Sequence, residues 1–179
     1  MTKRKKIALF GGSFNPPHEG HREIVRRIAR RKTIDEVWIL PVYRHPFGKR
    51  LPSFSKRVRA CHLFFLRAGG SCRPAALRAA LRTVSKGRPA VTRSPKIKIK
   101  SYEHRPKATG YTIDLIHYLK KKFPTYRFSW VMGADTYKER KKWKEFPKLK
   151  KEVRFIIFPR GPKSPIPNIS STQIRRRFS

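Results

Sequence analysis

The segment Gly11–His21, with the sequence GGSFNPPHEGH, follows the apolar run Ile7–Phe10 and decides the fold class. A glycine pair lets the backbone approach a ligand closely, and a proline pair fixes an extended turn before a helix that begins near His18 or Glu19. The amide groups of the first helical turn then point at whatever lies above the strand end, which favours phosphate. The segment therefore predicts a strand, a phosphate-facing turn and a helix.

His18 and His21 are the chemically distinctive residues of this segment. Because they are three residues apart, both can face the same ligand from a first helical turn. As neutral or proton-sharing imidazoles they would donate to phosphate oxygens. The structural alternative is that the glycines merely turn the chain and the histidines cap the helix or lie on the surface.

Further apolar runs alternate with helical patterns along the chain. This alternation predicts an α/β fold with a Rossmann-like, doubly wound, mostly parallel sheet and helices on both faces. In such sheets, ligands bind at the carboxyl ends of the strands, where the strand order switches. The predicted strands are 7–10, 36–42, 128–132 and 153–158, and the predicted helices are 21–31, 54–68 and 111–123. The pattern of the helix 54–68 places Val58, Cys61, Leu63, Phe64 and Phe65 inward.

The length of 179 residues predicts a single domain spanning residues 1–179. Residues 69–95, rich in Ala, Arg, Pro and Ser, are expected to form a low-complexity insert or surface loop without chemistry. No apolar run is long enough to cross a membrane, so a soluble protein is expected. Cys61 and Cys72 have no CxxC or Cys/His spacing, so we expect neither a protein metal site nor a disulfide, and a reducing cytoplasm fits.

The charge is extreme: 46 Lys and Arg residues stand against 10 Asp and Glu residues, a formal net charge of +36. The basic residues fall between the apolar runs, as expected when the surface has been made cationic, whether by engineering or by drift. Such a chain is expected to gather nucleic acid without sequence preference, through counterion release. A natural nucleic-acid binder is the alternative, although no zinc finger or RNP-type aromatic motif is present.

Five motifs together resemble the HxGH nucleotidyltransferase superfamily and, within it, the bacterial nicotinate-nucleotide adenylyltransferases. They occur in the family's order, as GGSFNPPHEGH, LPVYRHPFGKR, GYTIDLI, VMGADTY with Trp143 behind it, and ISSTQIR near the end of the chain. The resemblance implies a Rossmann-like fold, ATP as a substrate with Mg²⁺, and nicotinate mononucleotide or a related mononucleotide as the acceptor. It further implies formation of a dinucleotide with release of pyrophosphate.

The resemblance also implies roles for individual residues. His18, His21, Lys49 and Arg175 would act on the reacting phosphates. Three segments would hold ATP: the glycine turn, the GAD sequence at 133–135 and the SST sequence at 170–172. The residues concerned are Gly11, Gly12, Ser13, Phe14, Gly133, Asp135, Ser171 and Thr172. Tyr111, Thr112 and Trp143 resemble the nicotinate end of the acceptor site, and His45 is a secondary candidate there.

Several alternatives remain open at the level of sequence. Lys49 could be one solvated surface lysine among many, and Trp143 could be a packing anchor instead of a stacking platform. The acceptor could be nicotinamide mononucleotide or phosphopantetheine. The protein could also be a cationic scaffold or nucleic-acid carrier that keeps the fold without useful turnover.

Overall fold

Five parallel strands form one sheet in the computed structural model, which describes residues 4–45, 48, 50–66, 96–106, 108–159, 161 and 164–176. The order across the sheet is β3-β2-β1-β4-β5. Every neighbouring pair is parallel, which confirms the predicted Rossmann-like α/β class. The strands are β1 Lys6–Gly12, β2 Glu36–Pro41, β3 Ile97–Ile99, β4 Arg127–Gly133 and β5 Arg154–Phe158.

Helices cover both faces of this sheet. Strand β1 sends Ala8 and Phe10 into a core with α1 and α2, and Ile7 and Leu9 into a second core on the opposite face with α3 and α5. This alternation is the two-residue period expected of a central strand. The helices are α1 Glu19–Ala29, α2 Phe54–Leu66, α3 Thr112–Lys122, α4 Ala134–Lys138, α5 Phe146–Glu152 and α6 Ser171–Arg176, with a 3₁₀ turn at Glu139–Lys142.

The order of the strands places a crevice beside β1. The chain leaves β1 through α1 to reach β2 on one side, whereas β4 pairs with β1 on the other side. The strand order therefore switches between β1 and β4, and the loops after these two strands diverge at their carboxyl ends. Both β1, which ends at Gly12, and β4, which ends at Gly133, finish at this edge of the sheet.

Some predicted details differ from the structure. Helix α1 begins at Glu19, which agrees with the start expected after the proline pair and lies two residues before the apolar pattern 21–31, because His18 is its extended N-cap residue. In α2, Arg57 is buried and the predicted inward residue Val58 is only partly so. The predicted insert 69–95 lies outside the described residues. Among the described helices, none has the length and apolar character needed to span a membrane.

Candidate active site

A cleft of about 420 Å³ opens at the carboxyl ends of β1 and β4. Its walls come from the loops that follow these strands, from the start of α3 and from α6. Most of the predicted site residues line it, namely Gly11, Gly12, Ser13, Phe14, His21, His45, Tyr111, Thr112, Gly133, Asp135, Trp143, Ser171, Thr172 and Arg175. Of the other two, Lys49 lies outside the described residues, and the His18 ring is buried beside the cleft, at 4% exposure.

The glycine pair at the end of β1 is required by two aromatic rings. A Cβ atom on Gly11 would stand 2.5 Å from the Trp130 ring of β4, and one on Gly12 would stand 3.2 Å from the Phe14 ring. Phe14 is buried and packs edge-on against His21, with 5.0 Å between ring centroids. The turn predicted to face the nucleotide therefore also has a packing role, because its Phe14 side chain supports the imidazole of His21.

His18 and His21 form a stacked pair with different exposures. Their ring centroids are 3.6 Å apart, and the backbone amide of His18 donates to Nδ1 of His21 at 3.2 Å. Since Nδ1 accepts this bond, a neutral His21 carries its proton on Nε2. His21 lines the cleft as a hydrogen-bond donor with a fixed tautomer, and the His18 ring supports it by stacking. Gly20 allows this arrangement, because a Cβ there would lie 3.2 Å from the His18 ring.

Helix α6 closes one wall of the cleft against the turn after β1. Ser170 and Gln173 form a reciprocal capping box, with bonds of 2.7 and 3.2 Å between side chain and backbone. Ser171 Oγ donates to the carbonyl of Pro16 at 2.9 Å, and Arg175 donates to that of Asn15 at 2.5 Å. These bonds bring residues about 155 positions apart in the chain to the same wall.

The second glycine-ended strand, β4, leads straight into α4. Gly133 is the extended N-cap residue of α4, and Asp135 lies exposed in its first turn. Both line the cleft, together with Thr136 and Glu139. The carboxylates of Asp135 and Glu139 are hydrogen-bond acceptors suited to sugar hydroxyl groups.

Aromatic residues also line the cleft. Trp143 packs edge-on against Trp130 at 6.2 Å and against Phe146 at 6.4 Å between centroids, so it combines the two alternatives posed by the sequence. It is anchored by packing and still lines the cleft. Tyr111 is the N-cap residue of α3, and Thr112 is the first residue of that helix.

Lys144 is a cleft residue that the sequence analysis did not single out. Its ammonium nitrogen lies 5.1 Å from the Tyr111 ring centroid and 3.4 Å from Asp114 Oδ2. Asp114 also accepts from Thr109 Oγ1 at 2.5 Å, which fixes the carboxylate. In a run of lysines nothing distinguishes this one, and only the fold turns it towards Tyr111 and Asp114.

Arg57 is the second residue that sequence reasoning missed. It is 3% exposed, and burial lowers the pKa of its guanidinium. The group donates to three backbone carbonyls, those of Pro52 at 3.0 Å, Ser13 at 3.1 Å and Tyr43 at 3.2 Å. It thereby joins the turn after β1, the loop after β2 and the start of α2 behind the cleft.

Comparisons with known proteins agree with this geometry. A family model described as cytidylyltransferase-like matches residues 9–177. The probable nicotinate-nucleotide adenylyltransferase of Anaeromyxobacter dehalogenans is 35% identical over the whole chain and 87% of its own length. The corresponding protein of Campylobacter jejuni is 32% identical over 85% of this chain and 70% of its own length.

Solved structures show the same fold. The nicotinic acid mononucleotide adenylyltransferase of Plasmodium falciparum, complexed with NaAD, matches 96% of this chain and 83% of its own with a TM-score of 0.65. A putative nicotinate-nucleotide adenylyltransferase of Vibrio parahaemolyticus matches 96% and 79% with a TM-score of 0.63. Their identities of 20% and 18% mean that the likeness is one of fold.

Proposed function

This chain belongs to the cytidylyltransferase-like family, and we propose that it transfers the adenylyl group of ATP to nicotinate mononucleotide. The products are nicotinate adenine dinucleotide and pyrophosphate, a reaction of NAD biosynthesis. The observation that carries the proposal is the single cleft at the strand switch point. It brings His21 and Arg175 into the same lining as the Trp130–Trp143 pair.

The reaction requires little acid–base catalysis from the protein. An ionised phosphate oxygen of the acceptor attacks the α-phosphorus of ATP, a new P–O bond forms, and the bond to the bridging oxygen of the β-phosphate breaks. Pyrophosphate leaves with the bonding electrons, and no proton needs to move. Catalysis then consists mainly of positioning and of stabilising charge on the phosphates.

Each wall of the cleft has a part in this proposal. His21, with its Nε2 proton directed by the bond at Nδ1, donates to the α-phosphate or bridging oxygen. Ser171, Thr172 and Arg175 hold the β- and γ-phosphates, and Asp135 accepts from the adenosine ribose. His18, which stacks on His21, keeps the imidazole in place. By family resemblance, Lys49 draws in the acceptor phosphate.

Magnesium enters in this proposal with ATP. Mg²⁺ keeps several water molecules and binds through substrate phosphates more often than in an all-protein cage. Among the residues that the structure describes, no group of three or more His, Cys, Asp and Glu side chains is placed to hold a metal ion. The metal is therefore proposed as part of the MgATP substrate, bound to its triphosphate oxygens.

The acceptor panel is the experiment that tests the proposed reaction. Purified protein, stripped of nucleic acid, is given MgATP with nicotinate mononucleotide, nicotinamide mononucleotide or phosphopantetheine, and pyrophosphate release is measured. We expect turnover with nicotinate mononucleotide. Folded protein with no turnover on any acceptor would favour the cationic scaffold, and a preference for phosphopantetheine would contradict a pyridine acceptor.

A variant of Lys144 tests how the protein chooses between the acid and the amide acceptor. The positive charge of Lys144 beside Tyr111 favours binding of nicotinate, which carries a carboxylate, over binding of nicotinamide, which carries a neutral amide. We expect Lys144→Gln to raise KM for nicotinate mononucleotide about 5-fold, as for a partly exposed ion pair, and to leave KM for the amide unchanged. Lys148→Gln, which removes another exposed lysine from the next helix, is the matched control. An equal rise in KM for both acceptors would remove Lys144 from the selection.

A further inference from the structure

Four lysines converge on one aromatic cluster away from the cleft. They come from separate parts of the chain: before β1, within β3, after β3 and at the last residue of α3. We call this surface the basic–aromatic face, and it comprises Lys5, Lys98, Lys100 and Lys122 with Trp38, Tyr102, Tyr118 and Tyr126.

The lysines are held against the faces of the aromatic rings. The Lys100 ammonium lies 5.3 Å from the Trp38 ring centroid and 5.9 Å from that of Tyr102. The Lys122 ammonium lies 5.4 Å from Tyr102 and 5.6 Å from Tyr118. Cation–π contacts of this kind restrict the long side chains, so the positive charges are positioned in advance of any ligand.

Carboxylates neutralise only part of this face. Glu36 is buried and binds both Lys5 and Lys98, at 2.5 and 2.6 Å. Within the described part of the chain, neither Lys100 nor Lys122 forms an ion pair. Burial lowers the pKa of Lys100, the charge of Lys98 lowers it further, and the charge of Glu36 offsets part of this. Lys100 and Lys122 thus carry positive charge that no direct ion pair within the described residues neutralises.

The face is separate from the cleft. Helix α3 begins at Thr112, which lines the cleft, and ends at Lys122, so about 15 Å of helix lies between the two sites. Lys5 directly precedes β1 and Glu36 is the first residue of β2, so both lie on the amino edge of the sheet. None of the four lysines of the face lines the cleft.

We propose that the basic–aromatic face binds single-stranded nucleic acid. Lys100 and Lys122 contact successive phosphates, and the unpaired bases contact the half-buried rings of Tyr102 and Tyr118 beside these lysines. Cationic side chains interleaved with aromatic rings are the pattern by which proteins bind single strands without sequence preference. The net charge of +36 attracts nucleic acid over the whole surface, and the basic–aromatic face is the specific place where we expect single strands to bind.

The test compares two variants of equal charge in the full-length chain. Lys100→Gln with Lys122→Gln removes the two lysines of the face that lack an ion pair. Lys32→Gln with Lys56→Gln removes two exposed lysines, one after α1 and one on α2, the helices that pack on the opposite side of the sheet. Binding of a fluorescent 12-nucleotide oligothymidylate is measured across a salt series, with melting and adenylyl transfer as controls for folding.

We expect the first variant to lose about 10-fold in affinity near 0.15 M salt and the second variant to lose much less. The log–log salt slope should fall by about 1.4 in the first variant, because each single-strand phosphate contact contributes about 0.7. Equal losses and equal slopes in the two variants would show a diffuse charge effect and overturn the proposal.

Base stacking is tested with a different ligand and variant. The wild-type protein should bind oligothymidylate about 10-fold more tightly than an abasic strand of the same length, and Tyr102→Leu should remove most of that difference. Equal affinity of the wild type for both strands would contradict a nucleic-acid site and leave a general polyphosphate surface. Tighter binding of a duplex of equal length would contradict single-strand recognition.

Discussion

His21 shows how a single backbone bond can decide the chemistry of a side chain. The amide of His18 donates to Nδ1 and leaves the Nε2 proton for the cleft, while Phe14 and His18 hold the ring from two sides. The HxGH spacing predicts that both histidines face the ligand. The structure instead gives the lining position to His21 and the supporting position to His18, since His18 is an extended N-cap residue outside the helix.

Replacing these two histidines should separate their roles. We expect His21→Ala to lower turnover by about 10²-fold or more, as for loss of a positioned donor to the transition state, with little change in melting temperature. His18→Ala opens a gap beneath a buried ring, so it should lower both turnover and stability. Steady-state kinetics and thermal melting of both variants check this. A large drop in stability for His21→Ala would assign that residue a structural role.

At the scale of elements, the sequence predicts the long parts well and the short parts poorly. The apolar runs predict the strands β1, β2, β4 and β5 to within two residues at each end, because the inner residues of these strands are uncharged and mostly apolar. Strand β3 was not predicted: it is a three-residue edge strand with the sequence IKI. Helices α4, α5 and α6 have five to seven residues, too few for a periodic signal.

Buried charge is the other feature that sequence patterns miss. Arg57 lies in a helix whose pattern predicts Val58 as an inward position, and a cation is ordinarily assigned to the surface. Only the three carbonyls that meet at its guanidinium make burial favourable. Those carbonyls belong to segments that are brought together by the tertiary fold, so no local pattern reports them.

Arg57→Lys tests how the cleft depends on this group. A lysine keeps the charge but cannot bond all three carbonyls in one fork, so we expect a loss of about 3 kcal/mol in the free energy of unfolding. Because Ser13 is one of the partners, kcat should fall more than KM rises at a temperature where the variant is folded. Urea unfolding and steady-state kinetics measure these effects. The same loss of stability with unchanged kcat would limit Arg57 to a structural role.

For the whole molecule, the acidic residues are few and their placement matters. Burial alone would raise the pKa of Glu36, but hydrogen bonds from Lys5, Lys98 and Trp38 outweigh burial and lower that pKa to about 2. The carboxylate ties the starts of β1 and β2 to the edge strand β3. In a chain of net charge +36, this is an attractive contact at a point where lysines otherwise repel one another.

The pH dependence of stability follows from this shift. The pKa of Glu36 is lower in the folded chain, so its stabilisation is fully present above about pH 4.5 and is lost as the pH falls towards 2. The shift corresponds to about 3 kcal/mol at neutral pH. We expect Glu36→Gln to be less stable than wild type at pH 7, with the gap narrowing between pH 5 and pH 3 in urea unfolding. A gap that does not change with pH would contradict a charge-based contribution.

The bonds from α6 to the turn after β1 also set an order of events during synthesis. Asn15 and Pro16 emerge from the ribosome early, whereas Ser171 and Arg175 are translated about 155 residues later, roughly 10–30 s at ordinary elongation rates. Throughout that interval the nascent chain holds the glycine turn and His21 without the wall that closes them. Under the proposed function, catalytic competence is acquired in one late step, and a ribosome stalled after β5 would carry a sheet that lacks the proposed triphosphate wall.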